Sequence, residues 1–151
     1  FAGGPKKLIA AMRKVQSQTT SNPSTISQWA AVAALDGPMD FLKKNNDIFL
    51  RRRNFVIEAL NQIEGIHCPT PEGAFYVYPS MEELIGKRTQ EGKYIKTDEC
   101  FATELLNQTG VAVVFGAAFG LSPNFRISYA ASDAMLQKAC ARISTFCTSL
   151  S

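Results

Sequence analysis

Among the 151 residues of this chain, Arg126 has the clearest chemical potential. It lies in Phe125-Arg126-Ile127-Ser128-Tyr129, where alternation of period two puts Arg126 and Ser128 on one face and Phe125, Ile127 and Tyr129 on the other. An arginine inside a short apolar strand must meet solvent, a partner or an anionic ligand, because an unpaired buried charge is costly. Its fork of N–H groups matches a carboxylate through two parallel hydrogen bonds. Two readings stand side by side, a carboxylate ligand and a structural ion pair. Just upstream, Gly116 and Gly120 in Phe115-Gly116-Ala117-Ala118-Phe119-Gly120 mark places where the backbone turns sharply or lets a ligand come close.

The other chemically capable residues read as structural. His67, the single histidine, stands beside Cys68 with no carboxylate nearby in sequence, so a nucleophile–base arrangement has little to work with. The four cysteines, at 68, 100, 140 and 147, form no CxxC pair and no zinc-type ligand clusters. They read as small core residues and favour a reducing compartment. Arg51-Arg52-Arg53 would fan over about 200° of a helix, which makes a solvated face and not a phosphate-reading stripe. The net charge of +3 is too mild for a nucleic-acid footprint. No apolar run approaches the ~20 residues of a membrane span, and no basic segment with an apolar leader opens the sequence. A soluble, cytoplasmic chain is expected.

These residues need elements to hold them. Leu8, Ile9, Met12 and Val15 give Lys6 to Gln18 helical spacing, and Thr19 to Ser24 breaks it. A second helix carries Ile26, Trp29, Ala30, Ala33 and Ala34 and stops at Asp36-Gly37-Pro38. A third, long one places Phe41, Leu42, Ile48, Phe49, Phe55, Val56, Ala59, Leu60 and Ile63 on one face and ends at Gly65. Strands are expected at Ile66–Cys68, Gly73–Pro79, Val111–Val114 and Phe125–Tyr129, with a polar surface excursion from Gly86 to Lys96. A helix from about Thr97 to Gln108 opens with Asp98 and Glu99, which suit the positive end of its dipole. Ser132 caps a last helix striped with Met135, Leu136, Ala139, Cys140, Ile143, Phe146 and Cys147. The fold class is α/β, with an α+β-like small domain whose sheet is covered by helices. The first two helices do not obviously belong to that unit, and their apolar faces call for a partner. The opening Phe1-Ala2-Gly3-Gly4-Pro5 reads like a strand passing into a helix, as in a fragment.

Val111–Gly120 leading into Phe125–Ala130, together with Pro71-Glu72-Gly73-Ala74-Phe75-Tyr76, resembles the C-terminal signature of class I, fold-type I, pyridoxal-phosphate aminotransferases. Phe1-Ala2-Gly3-Gly4-Pro5, Gln18-Thr19-Thr20-Ser21-Asn22-Pro23 and Gln28-Trp29-Ala30 resemble the bacterial aspartate aminotransferase subgroup. The resemblance implies that Arg126 grips the substrate α-carboxylate and that Gly73 lies near the site and closes over substrate. It implies that Thr20, Ser21 and Asn22 reach the neighbouring active site of a homodimer; capping the following helix is their structural alternative. One departure bears on the loop shape: the family often has Pro-Gly where this chain has Phe115-Gly116.

The resemblance also places the Schiff-base lysine, the phosphate-binding element and the aspartate that pairs with the pyridine nitrogen upstream of Phe1. Residues 1–38 would then be the end of the large cofactor-binding domain, carried over as leftover helices, and 39–151 the small domain. The cofactor is the electron sink, and its lysine anchors it and moves the proton. The resemblance therefore implies that a parent enzyme moves an amino group between an L-amino acid, aspartate first, and a 2-oxo acid. With no catalytic residue of its own, the isolated chain is expected to be inactive. An aminotransferase for aromatic or prephenate-like substrates and a non-catalytic interaction module are the alternatives. Neither nucleic acid nor membrane is expected as a partner.

Overall fold

The computed structural model describes residues 2–151; Phe1, read above as the end of a strand, lies outside the described residues. The chain divides into two compact units, Phe1–Phe41 and Leu42–Ser151.

The first unit contains α1 (Lys6–Thr19) and α2 (Thr25–Asp36). Both start and stop close to where the spacing predicts, yet neither buries a single residue. Ser24 stands at the N-cap of α2 without a side-chain capping bond. Thr20 turns back instead, its hydroxyl donating to the Gln16 carbonyl at 3.2 Å. Thr20, Ser21 and Asn22 thus do not cap the following helix.

The second unit contains α3 (Asp40–Asn61) from Leu42 onward, β1 (Tyr76–Val77), α4 (Asp98–Thr109), β2 (Val114–Phe115), β3 (Phe125–Ser128) and α5 (Asp133–Thr148). The sheet has the order β1-β3-β2 and is antiparallel throughout. Its register pairs Tyr76 with Ser128, Val77 with Ile127, Val114 with Arg126 and Phe115 with Phe125. Arg126 therefore sits on the central strand.

The helices around the sheet are locally specified. Thr97 caps α4 by accepting from the Cys100 N–H at 3.1 Å, and Gly110 closes it in the left-handed region at φ 71°. Ser132 caps α5 by accepting from the Met135 N–H at 3.3 Å. One core joins Val56 and Leu60 of α3, Val77 of β1, Phe101 and Leu105 of α4, Phe125 of β3, and Ile143 and Phe146 of α5. The Phe101 ring lies 5.1 Å from Phe125 and 5.5 Å from Phe146, within the range of favourable aromatic pairs.

Several expectations need correction. The strand expected over Gly73–Pro79 keeps a regular ladder only at Tyr76–Val77, although Tyr129 N–H donates to Phe75 O and Phe125 N–H to Pro79 O on either side of it. Val111–Val113 stays unpaired, so β2 starts at Val114, and Ile66–Cys68 contributes one bridge, His67 with Ser80. The third helix ends at Asn61, four residues before Gly65, which does take the expected left-handed conformation at φ 84°; the Asn61 side chain holds Cys68 N–H and C=O at 2.8 and 3.0 Å. Phe41, Leu42, Phe55 and Met135 fall outside the buried stripes. The stretch 86–96 is not merely a surface excursion: Ile95 and Thr89 are buried, and Arg88 exchanges backbone hydrogen bonds with Ser151.

Candidate carboxylate-binding site

Arg126 is held between two aromatic rings. Its guanidinium carbon is 4.4 Å from the Tyr76 ring centroid and 4.2 Å from that of Phe119. Each contact is a favourable cation–π pair. The two rings flank the guanidinium group, whose N–H groups make the fork that suits a planar anion. Among the described residues, no ion pair or side-chain hydrogen bond involves Arg126. Within residues 2–151 the guanidinium N–H groups thus have no side-chain acceptor.

The turn that carries Phe119 is shaped by Gly116. A Cβ at Gly116 would lie 2.1 Å from the Leu121 carbonyl oxygen and 2.8 Å from that of Asn124, both backbone, so no larger residue fits. Gly116 N–H donates to Asn124 O at 2.7 Å, and residues Gly116–Phe119 form a single 3-10 turn. Gly120 closes it at φ 78°. Gly116 is thus a point of close backbone approach, as its type predicted, to the chain itself. Phe115 has φ −66° and ψ 146°, a conformation proline would also adopt, so the departure from Pro-Gly leaves the turn intact.

Two further residues brace this turn. The Tyr78 hydroxyl lies 2.9 Å from the Gly116 carbonyl and 3.0 Å from that of Leu121, and its ring meets Phe119 edge-on at 6.3 Å. Burial, with the Asp98 charge, raises the Tyr78 pKa above its usual value against the opposing pull of Arg126, so the phenol stays a donor. Asp98 is only 1% exposed. Its Oδ2 accepts from Ala117 N–H at 3.0 Å and Asn124 N–H at 3.4 Å, and its Oδ1 from Glu99 N–H at 3.0 Å.

Sequence reasoning placed Asp98 at a helix start but missed its inward direction. A signal existed: Asp98, Phe101 and Leu105 are spaced as one helical face, and all three are buried. Tyr76 and Phe119 were missed as flanks of Arg126, since nothing local ties residues 76, 119 and 126 together.

Gly73 occupies an exposed bend with open space around it. The neighbouring Ala74 has φ 60°, uncommon for a residue with a Cβ. Tyr129 fixes it there, its hydroxyl donating to Ala74 O at 2.8 Å and its N–H to Phe75 O at 2.9 Å. The end of the strand bearing Arg126 thereby holds the bend bearing Gly73, without direct contact between the two residues being part of that tie. Thr20, Ser21 and Asn22 are exposed in the first unit.

The residues read as structural stay apart from this site. Cys68, Cys140 and Cys147 are buried, and burial pushes their thiols up to about 11, 11 and 12. Cys100 is half-buried, and His67 is exposed. The arginine run is more than a solvated face: Arg51 and Arg52 both reach Asp133 at 2.7 Å, and Arg53 donates to Pro71 O at 3.1 Å.

The sequence matches the family model for aminotransferase class I and II over residues 1–143. The chain belongs to that family. Over all 151 residues it is 58% identical to an aspartate/prephenate aminotransferase of Cereibacter sphaeroides and 56% identical to an aspartate aminotransferase of Rhizobium meliloti. It spans 38% and 37% of the length of these curated relatives. A crystal structure of the aspartate aminotransferase from Rhizobium meliloti superposes with a TM-score of 0.93 at 55% identity, covering 99% of this chain and 38% of that one. Fold-type I aminotransferases use pyridoxal phosphate, and the residues present do not fit the task of anchoring it. Every lysine is exposed except the half-buried Lys87, so none offers the desolvated amine that a covalent anchor requires.

Proposed function

We propose that these residues form the C-terminal, substrate-gripping part of a pyridoxal-phosphate-dependent aminotransferase. It exchanges an amino group between an L-amino acid, aspartate first, and a 2-oxo acid in the cytoplasm. The observation that carries this is the Arg126 guanidinium, flanked by the rings of Tyr76 and Phe119 and without an ion pair among the described residues. Arg126 binds the α-carboxylate in a bidentate manner and so orients the α-carbon. Gly73, in its open bend, approaches the bound substrate and helps to exclude water. Residues 1–38 belong to the large domain and 39–151 to the small one. In a homodimer, Thr20, Ser21 and Asn22 reach the neighbouring site. No residue of this chain carries the proton transfer.

Prephenate is the second substrate to consider, because the Cereibacter sphaeroides relative is named for both activities. Arg126 does not choose between the two, since both amino-acid products carry the same α-carboxylate.

The deciding experiment is steady-state kinetics of the full-length, cofactor-loaded enzyme carrying Arg126→Lys. Losing a charge-assisted hydrogen bond, worth about 1.5–3 kcal/mol, raises KM for amino and oxo acid alike by about 10- to 100-fold. An unchanged KM for both sinks the assignment. The purified 151-residue chain shows no turnover with added cofactor; measurable transamination by it would show that the active site is complete without upstream residues.

A further inference from the structure

We propose that Asp98 is a positioning residue for substrate binding: its buried carboxylate fixes the turn that keeps Phe119 against Arg126. This deepens the function proposed above and rests on it.

At the start of its own helix Asp98 uses only Oδ1, on Glu99 N–H, while Thr97 accepts from Cys100 N–H. Its outer oxygen is used elsewhere, on the amides of Ala117 and Asn124 at 3.0 and 3.4 Å. Those two amides bracket the segment that contains Phe119. The single Tyr78 O–H lies between the carbonyls of Gly116 and Leu121, at 2.9 and 3.0 Å, and its one proton is shared by them. The turn is thus gripped through its donors by Asp98 and through its acceptors by Tyr78. A carboxylate is suited to this place because it accepts on both oxygens and donates on neither. An asparagine of the same size has one acceptor oxygen, so its NH2 would face N–H groups on one side. The part-buried amides left without an acceptor would then move toward other partners, and the turn with them. Phe119 would leave the guanidinium, and Arg126 would gain rotamers that substrate must freeze out on binding.

The consequence for binding follows from that order of events. Asp98→Asn in the full-length, cofactor-loaded enzyme raises KM for amino and oxo acid about tenfold, the effect of one lost hydrogen bond to a charged group, and leaves kcat little changed. Succinate, a non-reacting dicarboxylate probe, shows the same weakening of Kd by calorimetry. Phe119→Leu gives a similar shift, and the double variant is no worse than the larger single one, because both act through one contact. Should Asp98→Asn fail to fold, Asp98→Glu, which keeps the charge but displaces it by one methylene, carries the same cycle. A lowered Tm with unchanged KM and Kd would mark Asp98 as structural only and overturn the proposal. So would fully additive effects in the double variant, or a Phe119→Leu enzyme that binds normally. A wild-type enzyme without transaminase activity would instead overturn the functional reading, and this inference with it.

Discussion

Residues 2–41 and residues 42–151 both form helices where the sequence asks for them, but only the second region has somewhere to put the apolar sides. Ile26 and Trp29 of α2 are 82% and 70% exposed, while Leu60 of α3 and Phe101 of α4 are fully covered. Each large apolar side chain gains about 1.5–3 kcal/mol on full burial, so the first region forgoes that gain at several positions while the second collects it. Helix periodicity and capping are local properties, and a core is not. An apolar stripe states that a partner surface is required; it does not supply one.

That contrast can be broken most easily at the centre of the covered region. Phe101→Ala removes a ring that touches both Phe125 and Phe146, and costs about 3–5 kcal/mol in urea denaturation. A loss below about 1 kcal/mol would mean that residues 42–151 do not share a single core. Next in size is Thr97→Ala, which deletes the N-cap of α4 and costs about 1 kcal/mol by the same measurement.

A weaker tie links α3 to α5 through Asp133. The hydrogen bond from Arg52, followed by the charge of Arg51, holds the Asp133 carboxyl below its usual 3.8 against the opposing effect of burial. A lowered folded pKa stabilises the fold above the unfolded value and ceases to do so as pH falls through the folded one. The Tm gap between wild type and Asp133→Asn is therefore open near neutral pH and closes below 3.8. Being exposed to solvent, it also narrows in high salt. A gap that persists in acid would assign the stabilisation to something other than this carboxylate. Smallest is the effect of Trp29→Ser in the 151-residue chain, within about 0.5 kcal/mol. A larger loss would show that α2 finds cover in this chain after all.

The same division explains what the sequence made legible. Helices α1, α2, α4 and α5 were readable because spacing and caps such as Ser132 lie within a few residues of what they control. Arg126 was readable because a charge between apolar neighbours in a strand is conspicuous by itself. Gly116 was readable as a place of close approach, though not that the approaching atoms belong to Leu121 and Asn124. The rest depends on contacts far apart along the chain. Arg51 and Asp133 meet across 82 positions, and Asp98 reaches Ala117 across 19 and Asn124 across 26. Ile95 looked like part of a polar loop until its side chain entered the core. Regular pairing was shorter than the aromatic and β-branched runs suggested, because extended backbone beside β3 does not always complete a ladder.

The bend at Ala74 is held against its own backbone preference. A left-handed backbone costs an alanine about 1–2 kcal/mol, and here the opposing force comes from Tyr129, just past the end of β3. The shape of the bend is therefore enforced from a distance. Without the two Tyr129 hydrogen bonds that cost would be unopposed, and the backbone at Ala74 would relax toward negative φ. The path of the chain at residues 73–75 thus depends on a residue more than fifty positions later in the sequence.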